Sequence, residues 1–581
     1  PLHITIVSLW SSLEGSILFW GLVLGGFTAA LVVLQRRGHE DYLAYTIGTL
    51  LATGLFFSFL LAGPASPFQP VSPVPPDGPG PNPLLQNHIL MIIHPPMLYL
   101  GYVGMSVPFA MAVAALLRGQ LGATWLKPLR NWLMVPTGFL TLGIMLGGWW
   151  SYEVLGWGGY WAWDPVENAS FLPWLTGIAA LHSAVVQQRR GTLKAWTVIL
   201  VMVTFLLTIL GTFLTRSGVV NSVHSFTQSP IGPLFLGFLG LALVAVVVLL
   251  AMRIDTLVSE PAEDAIVARE GAFLINNLLL VTLTFTVLIG TLFPIIAEAV
   301  RGVKVSVGEP YFNRMAVPVF FGLLLMMGIG PALPWGRSSR QQLRRALLRP
   351  LPAALAGAVL AAFVFSLDWQ ILLTGALSGY ALWVTLDQGM RPARARARGG
   401  QPVTRALGSS LTRSPRRTGA YLVHLGVIVT FAAVAASSAF QTSAEATLAP
   451  GGELTVGDYR LIFEGAAREH QPHREVQKAV VRVERGNRQL AVLEPSLNQY
   501  DTQREPIMTP AVRTSLGHDL YLTLGSVDSD GRVGLRAIVT PAVVWIWIGV
   551  LVMVAGTGLC LVEPRRARAP ATAAAPEAAT P

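Results

Sequence analysis

The chain has 581 residues, of which 52% are hydrophobic and only 12% charged, about half the charged share of an ordinary soluble domain. A soluble globular protein is excluded. The formal charge of +10 would suit a nucleic-acid binder, but the basic residues sit in alternate loops between apolar runs, the positive-inside pattern that sets membrane orientation and meets anionic lipid, so nucleic acid is not implied.

About thirteen apolar runs, most of roughly 17–24 residues, match a hydrocarbon core of about 30 Å and predict an all-α polytopic membrane protein. In chain order the first are 13–34, 43–61, 97–117 and 132–146. A stretch dense in Pro and Gly over 64–83 predicts an irregular loop on the outer side. The next runs are 165–186, 195–214, 231–252, 273–296 and 316–333. Two short ones, 351–365 and 371–386, precede 421–439 and 543–562. Arg36, Arg118, Arg130, Arg189, Arg190, Arg253 and Arg269, five arginines from Arg337 to Arg349, and the run up to Arg417 all fall on one side, read as the cytoplasmic side of the membrane.

From about 441 to 540 the pattern changes to short segments of alternating polarity bounded by Gly, Pro, Asn and Asp, which predicts a small β-rich domain on the outer side, a barrel of about six strands. The domains are therefore read as a helical membrane domain over 1–440, the β-rich domain over 441–540, a last span over 541–563 and a disordered cytoplasmic tail over 564–581. The single cysteine, Cys560, excludes an internal disulfide and a CxxCH motif of the chain's own. No cleavable leader is evident, and the start at Pro1 without Met suggests that upstream residues are omitted.

Two groups of residues carry chemistry. The first is the outer segment Trp149-Trp150-Ser-Tyr152-Glu-Val-Leu-Gly156-Trp157-Gly-Gly159-Tyr160-Trp161-Ala-Trp163-Asp164-Pro165-Val-Glu167. An interfacial aromatic belt is scattered, whereas these rings are clustered and separated by glycines. They are expected to form a wide apolar floor on which a planar macrocycle such as a porphyrin stacks. Asp164-Pro165-x-Glu167 also reads as a helix start, so capping is the first role of these carboxylates.

The second group is four of the ten histidines. His94, in His94-Pro95-Pro96-Met97-Leu98-Tyr99, and His224, in Arg216-Ser-Gly-x-x-x-Ser-Val-His224, flank the aromatic segment on the outer side. His182 and His424 lie inside two spans at matched depth, roughly 7–8 Å from the inner boundary at about 1.5 Å per residue. A lone histidine there reads as a hydrogen-bonded core residue. Two at one depth favour a shared metal, most simply a bis-histidine b-type heme. His3, His39, His88, His470, His473 and His518 read as ordinary loop or surface residues.

Trp157-Gly-Gly-Tyr160-Trp161-x-Trp163-Asp164-Pro165-x-Glu167-Asn168 resembles the tryptophan-rich WWD signature of heme-handling proteins. With His94-Pro-Pro-Met-Leu-Tyr, the Arg216-to-His224 motif and His424-Leu-Gly, the chain resembles the CcmF family, the heme lyase subunits of cytochrome c maturation. Shorter WWD proteins lack the buried histidine pair and the outer domain. Two departures stand out: Tyr160 replaces a frequent Trp, and family members tend to begin with extra spans.

The resemblance implies that His94 and His224 are axial ligands of a transient substrate heme lying on Trp157, Tyr160, Trp161, Trp163 and Asp164. It implies that His182 and His424 ligate a resident heme b that serves reduction, with quinol as the electron donor. The activity implied is a holocytochrome c synthase-type heme lyase acting within a complex, joining heme vinyl groups to the CxxCH thiols of apocytochrome c with no nucleophile of its own. The implied partners are a CcmE-like heme chaperone, a CcmH-like thiol-handling subunit, apocytochrome c and membrane lipid. Arg216 is a candidate for a heme propionate, since guanidinium and carboxylate pair as forks; an ordinary loop charge is the alternative. A heme exporter or a purely electron-transferring b cytochrome are the competing functions.

Overall fold

The computed structural model describes residues 2–35, 40–70, 72–74, 85, 88–218, 231–258, 267–471, 474–486, 488–501 and 505–563. The chain begins with α1 (Leu2–Ser11), α2 (Leu13–Gln35) and α3 (Glu40–Ala62). Then α4 (Leu90–Gly104) and α5 (Ser106–Arg118) form one span interrupted at Met105, followed by α6 (Ala123–Val154), α7 (Pro165–Arg190) and α8 (Lys194–Arg216). After α9 (Gly232–Met252) and the short α10 (Ile254–Leu257) come α11 (Arg269–Arg301), α12 (Glu309–Ala332), α13 (Arg340–Leu348), α14 (Leu351–Val364), α15 (Trp369–Arg398), α16 (Val403–Arg413) and α17 (Pro415–Ala439). The last helix is α18 (Val543–Leu561).

Among the described residues, 13 helices are long and apolar enough to cross a membrane, and each overlaps one of the predicted runs. The two short runs prove longer as helices, continuing through polar sequence to Arg340–Val364 and Trp369–Arg398. The arginine-rich extensions add helix without adding hydropathy, which is why apolar length alone understated them.

Helices that build the core approach closely where a side chain is missing. A Cβ on Gly143 of α6 would lie 2.8 Å from the Leu98 side chain of α4. One on Gly419 of α17 would lie 2.5 Å from the Gly556 carbonyl oxygen of α18. Without a water-driven hydrophobic effect between helices in lipid, such close backbone approach is a principal source of association. It locks α4 to α6 and α17 to α18, and so fixes the helices carrying His94 and His424.

Among the described residues, ten strands lie between α17 and α18: β1 (Thr442–Leu448), β2 (Glu453–Val456), β3 (Tyr459–Gln471), β4 (Arg474–Arg485), β5 (Arg488–Leu493), β6 (Ser496–Tyr500), β7 (Ile507–Thr509), β8 (Ala511–Arg513), β9 (His518–Val527) and β10 (Val533–Pro541). They form two antiparallel sheets, ordered β1-β10-β9-β8 and β2-β3-β4-β6-β7 with β5 on β4. Phe463, Val481, Val483, Leu522, Leu524 and Ala537 fill the core between them. The expected barrel of about six strands is thereby corrected to two facing sheets. The missed strands, such as β7 and β8, have only 3 residues each, too few for alternation to register.

The sheets rest on the aromatic end of the helices. Tyr521 of β9 donates its hydroxyl to the Leu155 carbonyl at 2.8 Å, and a Cβ on Gly156 would lie 2.5 Å from the Met508 side chain of β7. Tyr152 and Trp150 of α6, Tyr521 and Ile538 of the sheets and Trp547 of α18 share one buried cluster. Residues 564–581, expected as a disordered tail, lie outside the described residues.

Candidate functional site

His94 lies one residue before Pro95 and Pro96 inside α4. Neither proline can donate a backbone hydrogen bond, so the helix is loosened one turn earlier. The His94 ring turns toward α6, where its Nδ1 is 2.8 Å from the Gly143 carbonyl oxygen. A carbonyl only accepts, so Nδ1 carries the proton and the lone pair stands on Nε2, the tautomer in which imidazole ligates a metal. The ring fits because α6 has glycine opposite it: a Cβ on Gly147 would come within 2.6 Å of His94 Cε1.

His94 forms part of the wall of a cavity of about 220 Å³ (volume open to the centre of a water molecule), lined also by Tyr99, Trp150, Trp161, Glu167 and Arg216. Its surface is mainly aromatic and aliphatic with a few polar groups converging on it, the usual make-up of a small-molecule site. Arg216, in the last turn of α8, donates through Nη2 to the Tyr99 hydroxyl at 2.9 Å, which holds the guanidinium at the cavity wall.

The aromatic segment divides according to the partners its rings find. Trp149, Trp150 and Tyr152 belong to the last turns of α6 rather than to a loop. Trp149 stacks on Trp547, with centroids 5.6 Å apart and planes 10° from parallel. Trp157 donates to Ser151 Oγ at 3.2 Å, and the Tyr160 hydroxyl lies 2.7 Å from Ser437 Oγ of α17. Trp163 sits at φ 56°, donates to Asn313 Oδ1 at 2.8 Å and stacks on Phe312 at 5.1 Å. Trp161 meets Trp163 and Phe171 edge-on and lines the cavity.

Of Trp157, Tyr160, Trp161 and Trp163, then, only Trp161 shares the cavity with His94, and the other three tie the segment to neighbouring elements instead of lying in one flat floor. Asp164 accepts from the Val166 N–H and forms a capping box with Glu167 at the start of α7, and Glu167 Oε2 also accepts from the Ala162 N–H at 2.9 Å. Wall residues such as Trp10 and Trp20 carry no local motif; only the packing of α1 and α2 brings them there. His88 pairs with Glu153 at 2.8 Å, so it is a fixed neighbour of Trp149, which donates to the same carboxylate. His224 lies outside the described residues.

At the basic end, His182 of α7 has its Nδ1 2.9 Å from the amide nitrogen of Asn276 on α11 and its ring 5.3 Å from Phe273. His424 of α17 has a buried Nδ1 with no hydrogen-bond partner among the described residues, and Tyr421 meets its ring edge-on at 6.3 Å.

Comparison with known proteins agrees with this architecture. The family model for cytochrome C assembly protein matches residues 10–220, and that for the CcmF C-terminal beta-sandwich matches 439–541. "Cytochrome c-type biogenesis protein CcmF" of Pseudomonas aeruginosa is 38% identical over 97% of this chain and 85% of its own length. The Escherichia coli protein of the same description is 35% identical over 100% of this chain and 88% of its own. A solved structure, "Cytochrome c Heme Lyase CcmF", superposes with a TM-score of 0.79 at 32% identity, covering 97% of this chain and 85% of that one. The chain belongs to the CcmF family of cytochrome c-type biogenesis proteins.

Proposed function

We propose that the chain is a heme lyase of cytochrome c maturation: it holds substrate heme in the cavity at its aromatic end and promotes thioether attachment to the CxxCH motif of apocytochrome c. The observation that carries this reading is the single cavity shared by His94, Trp161 and Arg216, with His94 fixed in the tautomer that ligates through Nε2. An iron ligand, a stacking face and a cation for a propionate are the three contacts a heme needs. His224 is the proposed second axial ligand. Trp157, Tyr160, Trp163 and Asp164 act by holding the segment that presents Trp161.

In the reaction each apocytochrome thiol adds across a heme vinyl group, sulfur bonding to one vinyl carbon and the proton going to the other, with no net change in oxidation state. The substrate thiolates are the nucleophiles. The protein supplies position, worth up to about 7–11 kcal/mol when two reactants are held together. A CcmE-like chaperone delivers heme, a CcmH-like subunit presents the reduced apocytochrome, and the aromatic end faces outward from the inner membrane.

His182 and His424 are proposed to hold a resident heme b. The residues fit: His424 leaves a buried ring nitrogen without a hydrogen-bond partner among the described residues, His182 shows one hydrogen bond, and each ring sits near an aromatic side chain. When bound, that heme would relay electrons, with quinol as donor, to keep substrate iron ferrous. The test is reconstitution of the purified protein with heme, reductant and apocytochrome. Covalent heme on the apocytochrome, at a rate well above that without protein, is expected. Transport or reduction of heme without attachment would favour an exporter or an electron-transfer protein.

A further inference from the structure

Two consecutive asparagines, Asn276 and Asn277, interrupt the apolar sequence of α11, and both reach α7 beside His182. An amide inside a membrane span is unfavourable unless it is hydrogen-bonded, so each calls for a partner. Asn277 is fully buried and donates to Ser183 Oγ at 2.8 Å, which joins the two helices. Asn276 meets the Nδ1 of His182 at 2.9 Å. One amide therefore serves helix packing, and the other is spent on the histidine.

We propose that Asn276 positions His182 as an iron ligand by accepting the imidazole Nδ1–H through its Oδ1, a role that rests on the resident-heme reading above. Rotating the amide by 180° exchanges its oxygen and nitrogen without moving the side chain otherwise. With nitrogen toward His182 the amide donates to Nδ1, the ring proton stands on Nε2, and Nε2 cannot bind a metal. With oxygen toward His182 the proton stands on Nδ1 and the Nε2 lone pair faces away from the amide. Metal-ligating histidines almost always donate their second ring nitrogen in this way, which fixes the ring and strengthens its donor nitrogen. His424 has no equivalent partner among the described residues, so the hydrogen-bond control of the pair is one-sided and acts through His182.

The experiment uses the full-length protein purified in detergent, with heme content, protein level and reduction midpoint of the b-type heme measured on Asn276→Leu and Asn276→Asp. Leu removes the acceptor, weakens the imidazole as a donor and should shift the midpoint upward. Asp accepts more strongly, gives the ring imidazolate character and should shift it downward. Opposite shifts at normal protein level are the expected result; a residue that only packs would shift both the same way or neither, and that outcome overturns the proposal. Should the Leu protein fail to accumulate, the nearly isosteric Asp variant decides alone, a midpoint no lower than that of the parent counting against the role. Parent protein that carries no b-type heme overturns the resident-heme reading itself. Heme present but unmoved by either substitution overturns only the role of Asn276.

Discussion

His94 depends on an absence opposite it. A methyl group at Gly147 would lie 2.6 Å from the imidazole, so Gly147→Val should push the ring off the Gly143 carbonyl. Overpacking of this kind costs about 1–3 kcal/mol, and heme titration should show affinity for added heme falling on the order of tenfold or more while b-type heme is retained. The aromatic segment makes a second prediction. Trp161→Ala should weaken capture of added heme by about 1 kcal/mol, as loss of an aromatic face does, and leave protein level unchanged. Trp163 is only 8% exposed and stacked on Phe312, so Trp163→Ala should instead destabilise the fold by about 3–5 kcal/mol, read as a lower melting temperature and lower yield in the membrane. Equal effects of the two substitutions on heme capture at normal yield would restore the flat floor expected from the sequence. The rings do not lie in one plane here for a physical reason: proximity in sequence says they are neighbours, but their directions are set by Asn313, Ser437 and Trp547, far along the chain. His94 and Arg216, which line one cavity, stand out in the sequence because each sits in a motif near a helix end, whereas Trp10, Trp20 and Asn276 are placed only by packing.

Among elements, the spans were the most legible, because the bilayer imposes a minimum apolar length on each and no buried packing pattern has to be guessed. What the periodicity could not give is which helices touch. The α17–α18 pair depends on backbone contact at Gly419, where any side chain meets the Gly556 carbonyl at 2.5 Å. Gly419→Leu should therefore separate the two helices, lower the melting temperature in detergent and, since α17 carries His424, reduce b-type heme content in step. Heme content held at the parental value after a clear loss of stability would mean that His424 is not positioned by this pair. The ten-strand sandwich was legible only as a β-rich region, since its short strands contribute too few residues for alternation to show.

Across the whole molecule, the proposed sites fall at opposite ends of the helices, with the sheets docked on the aromatic one. Burial raises the Asp519 carboxyl from 3.8 to about 6, where β9 meets the end of α6 at Tyr152. A raised carboxyl stabilises the folded form while it is protonated, and that contribution is fully present below the ordinary value and lost as pH rises through about 6. The docked sheets should thus be more stable at pH 5 than at pH 7.5. Asp519→Asn should flatten the difference, measured by hydrogen exchange of β9 and β10 in the intact protein. The separation of the ends leads to the measurement that bears on the whole account, b-type heme content and holocytochrome yield determined together on His94→Ala protein. The account predicts a stable protein with parental b-type heme and almost no holocytochrome, partly restored by added imidazole, which occupies the vacated axial position. Full holocytochrome yield from stable His94→Ala protein with normal b-type heme would contradict it.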